Sequence, residues 1–326
     1  MNNSKCNSYQ VGIVILNYNN VIDVKKCIDS ILKHVSLDKI KLVIVDNGSK
    51  IEIREEMHLY CSQIFNSYCR INSGDNYDRL ADMTYMCVPK NIGYACGNNV
   101  GIDFLCHFET ITHIMILNSD IILTEDIITP LLWQMSILPN VGAISPLLYK
   151  PSKEIDYCCA RKNYPISTII YTFSYLFEKK YARLNNQLKI LLQNPTLLYQ
   201  NSVEIELPSG SCMMFNKDTI KEIDGFDPNT FLYYEESILY KKLKMIGKQN
   251  YLIPSISCIH TGGRTTTSQK TAYFLKKCNY DSLLYYLKTY EDCSTMKLLY
   301  VMTTAKLRLF RLWLGKKYKE YLGKHP

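Results

Sequence analysis

The sequence lacks the marks of several protein classes. Residues 1–10 are polar and hold no apolar run, so no secretory leader is expected at the start of the chain. Neither the thirteen cysteines nor the six histidines cluster at zinc-ligand spacing. The cysteines are irregularly spaced, several of them in apolar strand-like runs (Cys87, Cys212, Cys258). They read as reduced core thiols of a cytosolic protein. The dinucleotide fingerprint G-x-G-x-x-G is missing, and no Walker Lys-Ser/Thr follows the small-residue stretch at 90–99. Residues 12–20 carry no glycine-rich loop bearing Arg or Lys, which argues against a nucleotidyltransferase.

What is present suffices for a large core: 326 residues, 47% hydrophobic, with 26 tyrosines. That fits one large α/β domain with an appendage. Charge is uneven. From Thr295 to Pro326 eight Lys/Arg face one Glu, +7 of the chain's net +8, so the preceding body is close to neutral. A neutral body argues against nucleic acid as a partner, and a basic tail points to an anionic surface. The tail reads as helical from Ala272. Leu298, Val301, Met302, Ala305, Leu309, Leu312 and Trp313 share a stripe about 120° wide. Leu299, Tyr300, Leu307, Phe310 and Leu314 form a second apolar arc. Charges interrupt the tail too often for a spanning helix of about 20 apolar residues. The expected arrangement is one face on the domain and one in the lipid interface, at the cytoplasmic face of the plasma membrane. The alternative is a helix packed wholly on protein or in a homodimer.

The body alternates strand and helix. Residues 11–16 (V-G-I-V-I-L) are a continuous apolar run of the kind buried on both faces of a parallel sheet. Val24, Ile28, Ile31 and Leu32 then recur at helical spacing. Residues 42–45 make a second strand ending in Asp46-Asn47-Gly48-Ser49. This is a βαβ unit, and open α/β sheets bind ligands at the carboxyl ends of such strands. Further strands are expected at 84–88, 113–117, 141–146, 211–215, 251–253 and 256–259. Small residues at 91–99, opening a helix, let a backbone approach a phosphate or sugar closely. Asp120, in Asn118-Ser119-Asp120 after a buried strand, either reaches a divalent cation on a ligand diphosphate or caps the next turn. Residues 150–203 lose the alternation and read as a variable substrate-facing insertion, with a helix at 169–192.

The chain is organised around residues 225–246, where an aromatic run meets Glu235 and Glu236 and then Leu239, Leu243 and Ile246 at helical spacing. Gly247 closes the helix. The pair falls in the first turn, where the helix dipole and free N–H groups favour ionised carboxylates. Neighbouring side chains diverge by roughly 100° around a helix, so one of the two faces a common target. An ionised carboxylate there suits a general base; acids are also favoured in any first turn.

Taken together, V-I-L-N-Y-N at 14–19, V-D-N-G-S at 45–49, N-I-G-Y-A-C-G-N-N at 91–99 and L-N-S-D at 117–120 resemble the family 2 glycosyltransferases of GT-A fold. The likeness is greatest to the bacterial rhamnosyltransferase-like and capsular or O-antigen polysaccharide enzymes. G-F-D-x-x-x-F-L-Y-Y-E-E at 225–236 and I-H-x-G-G at 259–263 extend it over roughly residues 10–265. The resemblance implies a catalytic domain at 1–270, a mostly parallel mixed sheet flanked by helices, with residues 271–326 as a basic helical extension. It implies a nucleotide-diphosphate sugar donor and a glycan or lipid-linked glycan acceptor. It places Asp46 at the nucleotide base, and Asn17, Tyr18, Asn91, Gly93, Asn98 and Ser119 along the donor. Asp120 would hold Mg²⁺ or Mn²⁺ on the diphosphate, neutralising charge on the leaving group. His260 would join that site, or else be a strand-end histidine bonded to backbone. The family's E-D-x-D-L element here reads E-E-S-I-L, which gives Glu236 the base position beside Glu235. Ile238 replaces the later acid and keeps open a catalytically silent nucleotide-sugar-binding or assembly protein of the same fold.

Overall fold

The computed structural model describes residues 10–75, 78–173, 185–262 and 269–322. The polar start of the chain, Gly263, the middle of the helix expected at 169–192 and the last residues of the tail lie outside the described residues.

The first half runs β1 (Gln10–Asn17), α1 (Ile22–His34), β2 (Ile40–Asn47), α2 (Ile51–Ile64), β3 (Tyr68–Asn72), β4 (Met83–Val88), α3 (Tyr94–Cys106), β5 (Ile111–Leu117), β6 (Ile121–Leu123), α4 (Ile128–Ile137) and β7 (Val141–Tyr149). The insertion follows as β8 (Ala160–Arg161), α5 (Ile166–Phe173), α6 (Ile190–Gln193), β9 (Val203–Ile205) and β10 (Leu207–Pro208). The chain closes with β11 (Cys212–Asn216), α7 (Lys217–Glu222), α8 (Glu235–Met245), β12 (Gln249–His260), α9 (Gln269–Thr289) and α10 (Thr295–Leu322).

The central sheet has the order β3-β4-β2-β1-β5-β11-β7-β12-β6, with β9 also beside β12. Strands β3, β4, β2, β1 and β5 are parallel. β11 enters antiparallel between β5 and β7. The winding reverses at β1, with β2 on one side and β5 on the other, and at such a reversal the strand ends leave a crevice for ligands. β1 shows why its run is continuously apolar. Val11, Ile13 and Ile15 face a core shared with α1, α2 and α4, while Val14 faces a second core shared with α3, α7 and α8. All four are fully buried, as strands covered on both faces require.

Two expectations about elements change. The strands at 251–253 and 256–259 are one strand, β12, which bulges against β7 between Ile253 and Ser257. Pro254 lies in that bulge and has no N–H for a ladder, so the sequence reads as interrupted where the strand is not. The helix at 169–192 is not continuous either. α5 is described to Phe173, and Lys189, in extended backbone, bridges to Arg161 before the short α6.

The tail packs on the domain. Val301 and Ala305 of α10 are buried against Leu283, Tyr286 and Leu287 of α9, Ile169 and Phe173 of α5 and Ile238 of α8. Leu298 and Leu309 lean on the same cluster, whereas Leu299, Leu307, Phe310 and Leu314 of the second arc are exposed. Among the described residues no helix is long and apolar enough to cross a membrane.

Candidate active site

The strand-end loops are locked to one another before any ligand is considered. Asp46, at the end of β2, is fully buried. It accepts hydrogen bonds from Arg54 (2.9 Å), Tyr85 (3.0 Å), the Ser49 amide (2.9 Å) and Asn17 (3.4 Å). Asn17, also buried, takes the Asn20 amide at 3.2 Å, so the turn after β1 hangs on Asp46. Tyr18 at that turn is half exposed. Asn47 pins the next loop: its amide nitrogen reaches Asn91 (3.2 Å) and the Gly93 carbonyl (2.9 Å), and its oxygen takes the Ile92 amide (3.0 Å). Gly93 has φ +90°, and a Cβ there would lie 2.5 Å from the Phe231 carbonyl oxygen. Only glycine fits that approach. The Tyr94 amide bonds the same carbonyl at 2.8 Å, fastening α3 to the aromatic loop ahead of α8. Asn98 is buried within α3 and bonds the Tyr94 carbonyl at 2.9 Å. Ser119 is partly exposed beside Asn118 and Asp120.

At the far end of β12 the pairing with β6 sets His260 opposite Ile121, next to Asp120. His260 Nε2 lies 3.3 Å from Asp120 Oδ2, and Nδ1 lies 3.0 Å from Asp156 Oδ2. The carboxylates of Asp120 and then Asp156 hold the imidazole in its charged form, with a pKa pushed up to about 10, and the histidine in turn lowers Asp156. The histidine thus bonds side-chain carboxylates rather than backbone. Thr261 donates its amide (2.9 Å) and hydroxyl (3.0 Å) to the Asp120 carbonyl, which fixes the loop. Asp120 Oδ1 is buried and has no hydrogen-bond partner among the described residues, as suits a cation-facing oxygen.

Glu235 and Glu236 open α8 after two left-handed residues, Tyr233 (φ 77°) and Tyr234 (φ 69°). Such backbone costs about 1–3 kcal/mol per residue and persists where the surroundings impose it. Here Leu232 is bonded by Ser282 of α9 (2.9 Å), and Tyr234 rests against Tyr286 (5.4 Å between rings). The two acids then part. Glu236 faces a cavity of about 530 Å³ and accepts the Gly210 amide at 3.2 Å, with Arg161 at 3.5 Å. Glu235 also borders that cavity but is the more deeply buried of the two, with Oε1 unpartnered among the described residues. Burial, and then the charge of Glu236, push its pKa up to about 8. The first turn therefore does not hold both acids ionised, because desolvation outweighs the dipole at Glu235.

The same cavity is bounded by Tyr94, Asn118, Asp156, Arg161, Tyr164 and His260. It thus joins the α8 acids to the His260 end of β12. Tyr94 donates its hydroxyl to the Gly210 carbonyl at 2.6 Å. Burial first, then the charges of Glu236, Glu235 and Asp120, raise its phenol well above the usual range. Asp156, Arg161 and Tyr164 come from the insertion and were not singled out in the sequence. Asp156 also takes the Cys158 amide at 3.0 Å, so in sequence it looks like an ordinary turn acid, and Arg161 sits on a two-residue strand with no periodicity to read. Asn47 stood inside a motif whose acid drew the attention.

Among the described residues no three or more His, Cys, Asp or Glu side chains are arranged to hold a metal ion. Asp120, with His260 once its Nε2 proton is displaced, makes a two-residue set. That fits a cation whose other ligands are ligand phosphate oxygens and water.

No family model matches the chain. It is 25% identical over 226 residues, 69% of its length, to the low-salt glycan biosynthesis hexosyltransferase Agl10 of Haloferax volcanii, and spans 59% of that relative. Its structure is similar to that of GalNAc-T7 with UDP, GalNAc and Mn²⁺, with a TM-score of 0.56 at 12% identity. That match covers 91% of this chain and 54% of the other. It is similar as well to the mannosyltransferase PcManGT of Pyrobaculum calidifontis with GDP-Man and Mn²⁺, with a TM-score of 0.53 at 14% identity, covering 93% and 71%. The mixed, mostly parallel sheet flanked by helices, with its C-terminal helices, is the GT-A glycosyltransferase fold.

Proposed function

We propose that the protein is an inverting glycosyltransferase. It moves a sugar from a nucleotide-diphosphate donor to a hydroxyl of a glycan or lipid-linked glycan, in cell-surface polysaccharide synthesis. The observation that carries the reading is the placement of Glu236: a partly buried carboxylate at a helix start, held by the Gly210 amide and Arg161 and facing a cavity that His260 also lines. Agl10 is named a hexosyltransferase and the two structures hold UDP or GDP-Man, which supports the donor class.

In this reading Glu236 takes the proton of the acceptor hydroxyl as that oxygen bonds the anomeric carbon. The bond from that carbon to the diphosphate oxygen breaks on the opposite face, so the anomeric centre inverts. Arg161 and the Gly210 amide keep the Glu236 carboxylate aimed into the cavity. The strand-end loops at Asn17–Tyr18 and Asn91–Gly93 receive the nucleotide, and Asp46 acts from beneath by holding Asn17, Ser49 and Arg54. Asp120 would hold Mg²⁺ or Mn²⁺, joined by His260 once the cation displaces its Nε2 proton; when bound, the ion neutralises charge gathering on the diphosphate. Asp156 orients His260 through Nδ1, as outer-shell carboxylates orient metal-binding histidines. Residues 271–326 place the enzyme peripherally on the cytoplasmic membrane face through the exposed basic and apolar side of α10.

The test is a donor screen with the full chain and Mn²⁺, reading nucleoside diphosphate release with and without simple sugar acceptors. Turnover of one nucleotide sugar with an inverted product linkage is expected. No turnover and no binding of any nucleotide sugar would remove the reading.

A further inference from the structure

A second cavity, of about 550 Å³, shares its rim with the first: Tyr164, Tyr233, Tyr234 and Asn279 line both. Its far wall is apolar, from Ile169 and Phe173 of α5, Tyr280 of α9 and Leu312 of α10. Ile169, Phe173 and Tyr280 are themselves buried in the cluster that Val301 and Ala305 complete, and Phe173 meets Tyr280 edge-on at 5.4 Å. The wall is therefore part of a packed core.

Its charged lining is one-sided. Lys276 and Arg308 face it, with no carboxylate among its described lining residues. Arg308 lies over the Phe173 ring at 5.0 Å and donates through one nitrogen to the carbonyls of Thr172 (3.2 Å) and Phe173 (3.3 Å). Its Nε is buried and has no hydrogen-bond partner among the described residues. A guanidinium anchored by one nitrogen, facing the cavity beside Lys276 with no described carboxylate opposite, suits an anion. On either side of Leu312 the same helix exposes Phe310, Trp313 and Leu314.

We propose that this cavity is the subsite for the non-sugar part of the acceptor, an apolar chain carrying a phosphate or diphosphate. The phosphate lies against Arg308 and Lys276, and the first carbons of the chain lie on Phe173, Tyr280 and Leu312. The sugar extends past the tyrosine rim to Glu236. The proposal rests on the transferase reading and deepens it, because α10 then completes the acceptor site as well as covering the domain. Rim continuity fixes the role: a ligand in this cavity has its open end at the residues that border the base.

The experiment uses the full chain and dodecyl phosphate below its micelle concentration, with binding read by calorimetry. Inorganic phosphate and dodecanol serve as the two half-ligands. Dodecyl phosphate should bind, and neither half-ligand should match it. Arg308→Gln should weaken binding by about tenfold, as loss of a charged hydrogen bond implies. Ala272→Trp, which fills the cavity from an exposed lining position, should abolish binding while thermal stability and donor hydrolysis stay near wild type. Absence of binding in the wild type, or equal binding in wild type and Ala272→Trp, overturns the proposal. Donor hydrolysis in the same preparations separates the two failures. Hydrolysis without amphiphile binding sinks the subsite alone, and no nucleotide-sugar binding sinks the transferase reading and the acceptor role with it.

Discussion

Glu235 offers a test of the site's electrostatics that needs no substrate. Its carboxyl is buried, and its pKa stands at about 8 instead of 4.5. Between those two values the unfolded chain has released the proton and the folded chain keeps it. The native state then binds more protons, so stability falls as pH rises through this window. Each pH unit inside the window costs up to about 1.4 kcal/mol, which accumulates to about 3 kcal/mol at pH 7. Glu235→Gln keeps the shape of the neutral acid and removes the titration. The variant should match the wild type near pH 4.5 and exceed it by about 2–3 kcal/mol at pH 7, with the gap still widening toward pH 8. Urea denaturation of both proteins at half-unit intervals from pH 5 to 8 measures it. Subtracting the curves cancels the parallel trend of His260, whose raised pKa gives stability that is full below 6.5 and lost toward about 10. A difference that is flat with pH, or a variant less stable than the wild type at pH 7, would refute the claim that Glu235 is held protonated.

Glu236→Gln should cut transfer by roughly 10²–10⁴ with donor affinity nearly unchanged, and Glu235→Gln should cost less; the reverse ranking in steady-state kinetics would exchange their roles. Asp120→Asn should lose Mn²⁺ binding by paramagnetic resonance along with transfer, at little change in melting temperature, and undiminished transfer in EDTA would count against the metal. Asp156→Asn should weaken Mn²⁺ binding by about 10- to 100-fold, the usual loss for an outer-shell partner, while donor binding without metal stays level. Lys306→Gln with Arg311→Gln, both exposed on α10, should weaken sedimentation with anionic vesicles by about 1 kcal/mol each; indifference to vesicles at low salt would make the tail a packing element only.

The fold was legible wherever burial on both faces forces long apolar runs. β1, β2, β4, β5 and β7 all stand within a few residues of their expected places, and α3 opens at Tyr94, directly after Gly93. Strands of two or three residues were not legible, because β6, β8 and β10 are too short to show alternation. Those short pieces do much of the positioning. β6 sets His260 against Asp120, and the β8–β10 pair carries Arg161 to Glu236. The candidate site was therefore visible as motifs but not as partners. The depth of Glu235 could not be read either, since a first-turn acid gives no sign in sequence of whether its face is wet.

A cut near residue 294, natural from the charge boundary alone, would strip Val301 and Ala305 from Leu283, Tyr286 and Leu287. The exposed cluster includes Ile238, two residues after Glu236 on α8, and Tyr286, which supports the left-handed Tyr234. Such a truncation would loosen the turn that aims Glu236, and a loss of activity would say nothing about membranes. Charge substitutions on the outer face leave that cluster intact. They separate the tail's two faces: the inner one packs beside the turn ahead of Glu236, and the outer one is where the proposed membrane contact is tested. Ile238 belongs to the same account. The position that reads as a missing acid in the motif is buried at the centre of this brace, so the aliphatic residue there ties α8 to the tail.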